Sequence, residues 1–332
     1  MLGKQNMHEL AAGSTGTNLY FGTTRNPWNT NYMPGGSSGG GTASLAAGLA
    51  TLATGTDTFG SIRLPAAMCG VYGLKPTYGL VSAYGVIPSA WSLDTAGPMA
   101  RSVSDLALML NTMAGFDPND PASLNVSTPN YTENLNRGIR GLKIGIPTYY
   151  LEGLEQDVKV LFMQSIETLR NLGAEIIEIE LPESTMAPFS AYLTVSGEAS
   201  TFHYEWLQNH SEDYSTDIRT FFLTGTLTNT PQYVRAQQAR RRMVKAVDRA
   251  FQKVHIMVGP TIPIATPAFR KNWIEQNLNV LKETIPFTSP INLTGVPSLA
   301  VPMGLDSRGL PVGMQFIGKH LSEKLLLQVG SA

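Results

Sequence analysis

Apolar positions along this chain follow two periods in turn. From Glu155 to Leu172 they recur at helical spacing: Val158, Leu161, Phe162, Ile166, Leu169 and Leu172 share one face, and Gly173 follows as a stop signal. Two strand-like runs, Leu142 to Ile146 and Ala174 to Leu181, flank this helix. A strand–helix–strand unit with short links predicts a parallel or mixed sheet covered by helices. Ser102 to Ala114 reads as another helix, with Ser102 as N-cap and Gly115 as C-cap. Pro182 to Lys253 is mainly helical and predicts a layer over the sheet. Strands return at His255 to Gly259, Ser298 to Met303 and Val312 to Ile317, and Leu321 to Val329 reads as a last helix. The polar, proline-bearing stretch from Asp117 to Asn136 predicts a surface loop. There is no internal repeat and no low-complexity linker, so one α/β domain over residues 1–332 is expected.

Composition narrows the classes. The formal net charge is −1, which provides no bulk field toward nucleic acid or a membrane. The basic run Arg240-Arg241-Arg242 reads as a solvated helix face. A single cysteine, Cys69, excludes an intrachain disulfide, and its apolar setting makes it a buried small hydrophobe. The five histidines and the carboxylates show no metal-ligand spacing. The longest small-apolar run, Ala43 to Ala53, is too short to span a bilayer, and no signal peptide opens the chain. These features lead to the expectation of a cytoplasmic protein with no cofactor, no metal, no nucleic acid and no membrane among its partners.

The chemistry concentrates around two serines in glycine-rich settings. Ser37 lies in Pro34-Gly35-Gly36-Ser37-Ser38-Gly39-Gly40-Gly41, and Ser61 in Gly55-Thr56-Asp57-Thr58-Phe59-Gly60-Ser61-Ile62-Arg63. Glycine is costly to order, so such clusters mark unusual backbone angles or close approach of a ligand. A serine hydroxyl needs a base to take its proton and donors aimed at a developing oxyanion. Consecutive N–H groups in the Thr58–Ser61 turn can supply such donors. Ser37 satisfies Gly-x-Ser-x-Gly, but the Asn29-to-Pro34 stretch before it is not the strand that a nucleophile elbow requires. No lysine follows the glycines as a phosphate loop would need.

The blocks Gly35-Gly36-Ser37-Ser38-Gly39-Gly40, Gly55-Thr56-Asp57, Gly60-Ser61-Ile62-Arg63 and Gly73-Leu74-Lys75-Pro76-Thr77, continued by Ser92-Leu93-Asp94, Gly97-Pro98, Ala100-Arg101 and Asp105, closely resemble the amidase signature family of serine hydrolases. Gly3-Lys4-Gln5-Asn6-Met7-His8-Glu9 resembles the family's lead-in, and Asn292 to Pro297 and Gly309 to Gly313 resemble its closing strands. The resemblance implies a mixed sheet sandwiched between helices and a Ser–cis-Ser–Lys triad that hydrolyses a small-molecule carboxamide through an acyl-enzyme. Ser61 matches the nucleophile. Ser37 matches the bridging serine, held by a cis bond after Gly36. The N–H groups of Thr58, Phe59, Gly60 and Ser61 match the oxyanion hole, and Ser38, Asp57 and Arg63 the supporting residues. A homodimer is compatible with it.

Three departures stand out. The family's lysine lies well upstream of the first glycine block, and neither Lys4 nor Lys75 matches it. The chain also stops in mid-helix by the family pattern, so a fragment lacking the first N-terminal elements, with impaired activity, is expected. Phe59 stands where the family usually has glycine, which implies either strain at φ > 0 or a narrowed acyl pocket. Finally, the glutamine-hydrolysing subunits of tRNA amidotransferases carry an acid shortly before Pro-x-Asn-Leu. Here Thr284 to Ser289 contain none, which points toward a general amidase with an apolar or small acyl group. The alternatives are the glutaminase component of a tRNA amidotransferase and an inactive amidase fold that binds a ligand.

Overall fold

The computed structural model describes residues 1–332. Eight strands pair in one mixed sheet: β1 (Leu52–Asp57), β2 (Tyr72–Lys75), β3 (Thr95–Ala100), β4 (Lys143–Pro147), β5 (Glu175–Ile179), β6 (Ile256–Pro260), β7 (Ser298–Leu305) and β8 (Pro311–Gly318). Their order is β1-β3-β2-β7-β8-β6-β4-β5. β4 runs parallel to β5 and to β6, and every other pairing is antiparallel. The eight strands pair without a break from β1 to β5.

Ten helices accompany the sheet. Three lie in the first third: α1 (Gly39–Ala46), α2 (Arg63–Cys69) and α3 (Val103–Met113). α4 (Gln156–Asn171) buries Val158, Phe162, Ile166 and Leu169, the face that the periodicity predicts. The predicted layer after Pro182 consists of α5 (Ala187–Phe202), α6 (Tyr204–Asn209), α7 (Thr216–Gly225) and α8 (Thr230–Ala250). α9 (Trp273–Thr294) and α10 (Glu323–Ser331) complete the set. Ser102 caps α3 as expected, its hydroxyl accepting from the Asp105 N–H.

The core divides by the two faces of the sheet. Ile144, Ile256, Leu299 and Phe316 pack with Leu106, Leu110, Phe162 and Ile166 of α3 and α4. On the other side Met257 and Ile317 pack with Ala191 and Val195 of α5, Met243 and Val247 of α8, and Phe287 and Ile291 of α9. Cys69 is fully buried, and burial pushes its thiol up to about 12, so it is an inert hydrophobe.

Two expectations need correction. Asn292-Leu293-Thr294 is not strand: it is the last turn of α9, and Gly295 closes that helix in the left-handed conformation at φ 72°. Pro286 and Pro290 mask the helix in the sequence, because each sits inside it and removes a ladder donor. The basic run on α8 is not wholly solvated either. Arg241 and Arg242 are exposed, but Arg240 turns inward, donating to the carbonyls of Leu293 (2.8 Å) and Ser92 (3.0 Å) and to Ser92 Oγ (3.1 Å).

Ile256 is fully buried at the middle of the sheet. Ile256→Ala is expected to lower unfolding free energy by about 2–5 kcal/mol. Urea titration should show a lower midpoint with an unchanged slope.

Candidate active site

The two glycine-rich segments meet beside the sheet. β1 ends at Asp57, residues 58–62 turn sharply, and α2 starts at Arg63. The Ser38 N–H donates to the Ser61 carbonyl at 3.2 Å, and the Ser38 hydroxyl bridges the Thr56 N–H and carbonyl, each at 3.3 Å. These bonds fix one serine loop against the other. The Gly36–Ser37 peptide is cis. Gly36 must be glycine for space, since a Cβ there would lie 2.8 Å from the Gly13 carbonyl oxygen.

Gly60 carries the positive φ of the turn, 111°, and a Cβ on it would strike Thr288. Phe59 is not in that region, so the aromatic side chain is not strained. Its ring packs toward the α5–α9 side of the core and lines a cavity of about 450 Å³. Gly36, Thr58 and Ser61 line the same cavity.

The four N–H groups of the turn are not equivalent. The Gly60 N–H donates to Asp57 Oδ1 at 2.8 Å and is therefore engaged in structure. Those of Thr58, Phe59 and Ser61 donate to no other group of the chain. Ser37 is fully buried and its hydroxyl has no hydrogen-bond partner. An unmatched buried hydroxyl is uncommon and calls for a reason.

Asp57 and Arg63 hold the turn in shape. Both are fully buried, with Arg63 Nε 3.0 Å from Asp57 Oδ2 and a second contact of 3.0 Å from Nη2 to Oδ1. Arg63 also donates to Gln315 Oε1 (2.7 Å), Asn292 Oδ1 (2.7 Å) and the Thr288 carbonyl (3.1 Å). Asn292 returns hydrogen bonds to the Asp57 carbonyl (3.0 Å) and Oδ1 (2.8 Å). Burial alone would raise the Asp57 carboxyl, but the Arg63 guanidinium and the Asn292 amide outweigh it and hold it at about 2. Asn292, Thr288 and Gln315 are supports that the sequence does not single out. The only signal is Asn292 within the Asn-Leu-Thr-Gly-Val-Pro block.

Lys75 is fully buried at the end of β2 and donates to the Pro76 carbonyl at 2.8 Å. Burial lowers its ammonium to about 7, against the attraction of Asp57. Asp94 accepts from Thr58 Oγ1 at 2.5 Å and from the N–H groups of Ser89 and Ala90. Burial raises its carboxyl to about 6 despite those bonds. No group of three or more histidine, cysteine or carboxylate side chains is arranged to hold a metal ion. No helix is long and apolar enough to cross a membrane.

The amidase family profile matches residues 1–327. The chain belongs to the amidase family. It is 41% identical to the glutamyl-tRNA(Gln) amidotransferase A subunit of Trichlorobacter lovleyi, over 99% of this chain and 72% of that protein. The crystal structure of the corresponding A subunit from Thermotoga maritima superposes with a TM-score of 0.87 at 32% identity, covering 99% of this chain and 72% of that one. A bacterial aryl acylamidase of the amidase signature family gives a TM-score of 0.85 at 27% identity, over 96% of this chain and 69% of that one.

These relatives overturn the expectation that nucleic acid has no place among the partners of such a chain. The amidotransferase to which the matched subunits belong takes its name from glutamyl-tRNA(Gln). Net charge is a poor guide here because it speaks of nonspecific attraction in bulk, not of what an assembly handles.

Two pH effects follow from the buried ions. Asp57, lowered from 3.8 to about 2, contributes stability that is fully present above about pH 4 and is lost as pH falls toward 2. Lys75 behaves oppositely to a stabilised cation. Its folded value of about 7 lies below the unfolded 10.5, so between those values the unfolded chain binds more protons and stability rises with pH. Chemical denaturation from about pH 7 to about pH 9.5 should show that rise, and Lys75→Met should flatten it.

Proposed function

We propose that this chain hydrolyses a primary carboxamide through an acyl-Ser61 intermediate and releases ammonia. The observation that carries the reading is the meeting of Ser61 with three unengaged N–H groups, of Thr58, Phe59 and Ser61, at the wall of one cavity. Preorganised donors of this kind stabilise the oxyanion that forms when a hydroxyl attacks a carbonyl. In the proposed sequence Ser61 Oγ bonds to the amide carbon, and its proton passes through the Ser37 hydroxyl to the departing amide nitrogen. The C–N bond breaks and ammonia leaves with a proton. Water then adds to the acyl ester, frees the acid and restores the Ser61 hydroxyl.

The setting favoured by the relatives is that of the glutaminase component of a tRNA amidotransferase, rather than an impaired amidase working alone. In that setting the ammonia would pass to a partner protein that acts on charged tRNA. A second reading, an amidase fold that binds an amide without cleaving it, is favoured by one observation: Ser37 Oγ has no partner to receive its proton. Lys75 does not fill that role in this reading, because its ammonium is directed to the Pro76 carbonyl.

Ammonia release from a panel of carboxamides tests the first reading against the second. Ser61→Ala is expected to abolish turnover, and Ser37→Ala to reduce it by roughly 10²–10⁴-fold, the usual contribution of a positioned proton carrier. Undiminished release from Ser61→Ala would reject the assignment. Saturable binding with no release from the wild-type chain would favour the second reading.

A further inference from the structure

The cavity over Ser61 has an apolar body and few charges. Phe59, Val195, Phe221, Ile274 and Leu281 give it walls drawn from the turn that carries Ser61, α5, α7 and α9. Asp217 is the one carboxylate on its wall, and Lys282 the one cation. Asp217 stands in the first turn of α7, where the helix dipole favours an anion. Its Oδ2 lies 3.3 Å from His8 Nε2, and Oδ1 accepts from Ser215 Oγ at 2.8 Å. Burial would raise this carboxyl, yet the bonds from His8 and Ser215 hold it below its usual range. A carboxylate accepts at about four sites, so these two bonds leave it open to a further donor.

His8 does not cancel that charge. Its side chain is buried, and with Nε2 turned to Asp217 its Nδ1 has no partner. A proton on Nδ1 would be a buried donor without an acceptor, which is costly, so the ring is neutral and donates through Nε2. His8 and Asp217 together therefore keep one net negative charge at the cavity wall. The same histidine donates its backbone N–H to the Ser37 carbonyl at 3.1 Å, so one residue separates this charge from the second serine of the site.

Asn277 brings the opposite character. It is buried on α9, and its Oδ1 accepts from the Ser14 N–H at 2.9 Å and from the Ser14 hydroxyl at 3.1 Å. A backbone N–H can only donate, so this contact fixes which amide atom is the oxygen. Nδ2 is left with two N–H donors that no group of the chain takes up, in a residue that lines the cavity. Lys282, further along the same helix, is exposed and sets its cation at the rim.

We propose that the cavity takes an amide whose acyl chain carries both charges of an amino acid, with its ammonium paired to Asp217 and its carboxylate held by Asn277 Nδ2 and Lys282 while the carboxamide lies at Ser61. L-Glutamine has this form, and the apolar walls would meet its methylene chain. An acid thus reaches the cavity from α7, although Thr284 to Ser289 carry none. The inference rests on reading Ser61 as the nucleophile of a carboxamide hydrolase, and it deepens that reading by naming the groups that choose the acyl chain.

Calorimetric binding to the Ser61→Ala chain tests the pocket apart from the chemistry. The probes are L-glutamine, γ-aminobutyramide (which lacks the carboxylate), glutaramate (which lacks the ammonium) and butyramide (which lacks both). γ-Aminobutyramide should bind at least roughly tenfold tighter than butyramide, glutaramate roughly three- to tenfold tighter, and glutamine tightest of all. Adding Asp217→Asn should bring γ-aminobutyramide to within about twofold of butyramide and leave glutaramate ahead of it. Asn277→Asp keeps the oxygen that Ser14 uses and turns the donor into an acceptor, so it should cancel the advantage of glutaramate alone. Lys282→Ala should weaken glutaramate by no more than about fivefold, and less at high salt, as for an exposed ion. Butyramide binding as tightly as γ-aminobutyramide, an ammonium advantage that survives Asp217→Asn, or no binding of glutamine would overturn the inference. A glutaramate advantage that survives Asn277→Asp overturns the assignment of Asn277. The ligand series is decisive by itself should a wall variant fail to fold. Ammonia release from the wild-type chain separates the two failures. Binding in the expected order without release from glutamine defeats the hydrolase reading and keeps the pocket. Release from butyramide at the same kcat/KM as from glutamine keeps the hydrolase and defeats the pocket.

Discussion

The buried Asp57–Arg63 pair is the constraint on which the site depends. A lone ion at either position would carry a desolvation cost of several kcal/mol, so each requires the other and a full set of hydrogen bonds. That requirement joins distant parts of the chain. Asp57 ends β1 and Arg63 opens α2, while Asn292 and Thr288 come from α9 and Gln315 from β8. The turn between the two ions carries Ser61. Its shape follows from an ion pair at its ends and a carboxylate that also accepts the N–H groups of Gly60, Ile62 and Arg63. By taking the Gly60 N–H, Asp57 orders the turn and leaves the Thr58, Phe59 and Ser61 donors free for a ligand.

α9 has to serve two purposes, and its sequence reflects this. Within a regular ladder its carbonyls would be taken by N–H groups one turn on. Pro286 and Pro290 lack the N–H groups that would reach the Lys282 and Pro286 carbonyls, and the carbonyls of Phe287 and Thr288 accept donors from outside the helix. Tyr150 Oη and Gln315 Nε2 reach the first, at 3.0 and 2.9 Å, and Arg63 Nη2 reaches the second. The Thr288 hydroxyl meanwhile donates to the Phe59 carbonyl. The helix thus acts as a bracket for the turn that carries Ser61, while Phe287 and Ile291 on its other side pack into the core.

What can be read from the sequence follows the strength of each local signal. α4 and strands β4, β5, β6 and β8 are legible, because their apolar positions keep one period over most of their length. β1 is not: Leu-Ala-Thr-Gly-Thr-Asp is small and polar, and it holds its place through six register pairs with β3 rather than through strand propensity. α9 escapes notice because its prolines read as breaks. Arg240 reads as surface because charge runs usually are, yet a carbonyl at the end of α9 and Ser92 draw it inward. Ser37 and Ser61 stand out because glycine clustering is rare, and Asp57 and Arg63 through the resemblance to the amidase signature family. Their supports do not, since Gln315, Thr288 and Asn292 are ordinary residues whose meaning lies in which turn they face.

The same contrast explains how charge is managed around the cavity. Within this small region the chain buries Asp57, Arg63, Lys75 and Asp94 and sets Asp217 at the wall of the cavity. Each is answered by a neighbour close in space but not always in sequence. Arg63 answers Asp57, the Thr58 hydroxyl and two N–H groups answer Asp94, and His8 and Ser215 answer Asp217. Lys75 has the Pro76 carbonyl and the pulls of Asp57 and Glu323, and burial still drives it toward its neutral form, as it does Asp94. The aromatic side chain at position 59 lines the cavity in a turn where Gly60 alone has the left-handed backbone, so its apolar surface is presented without cost in backbone strain.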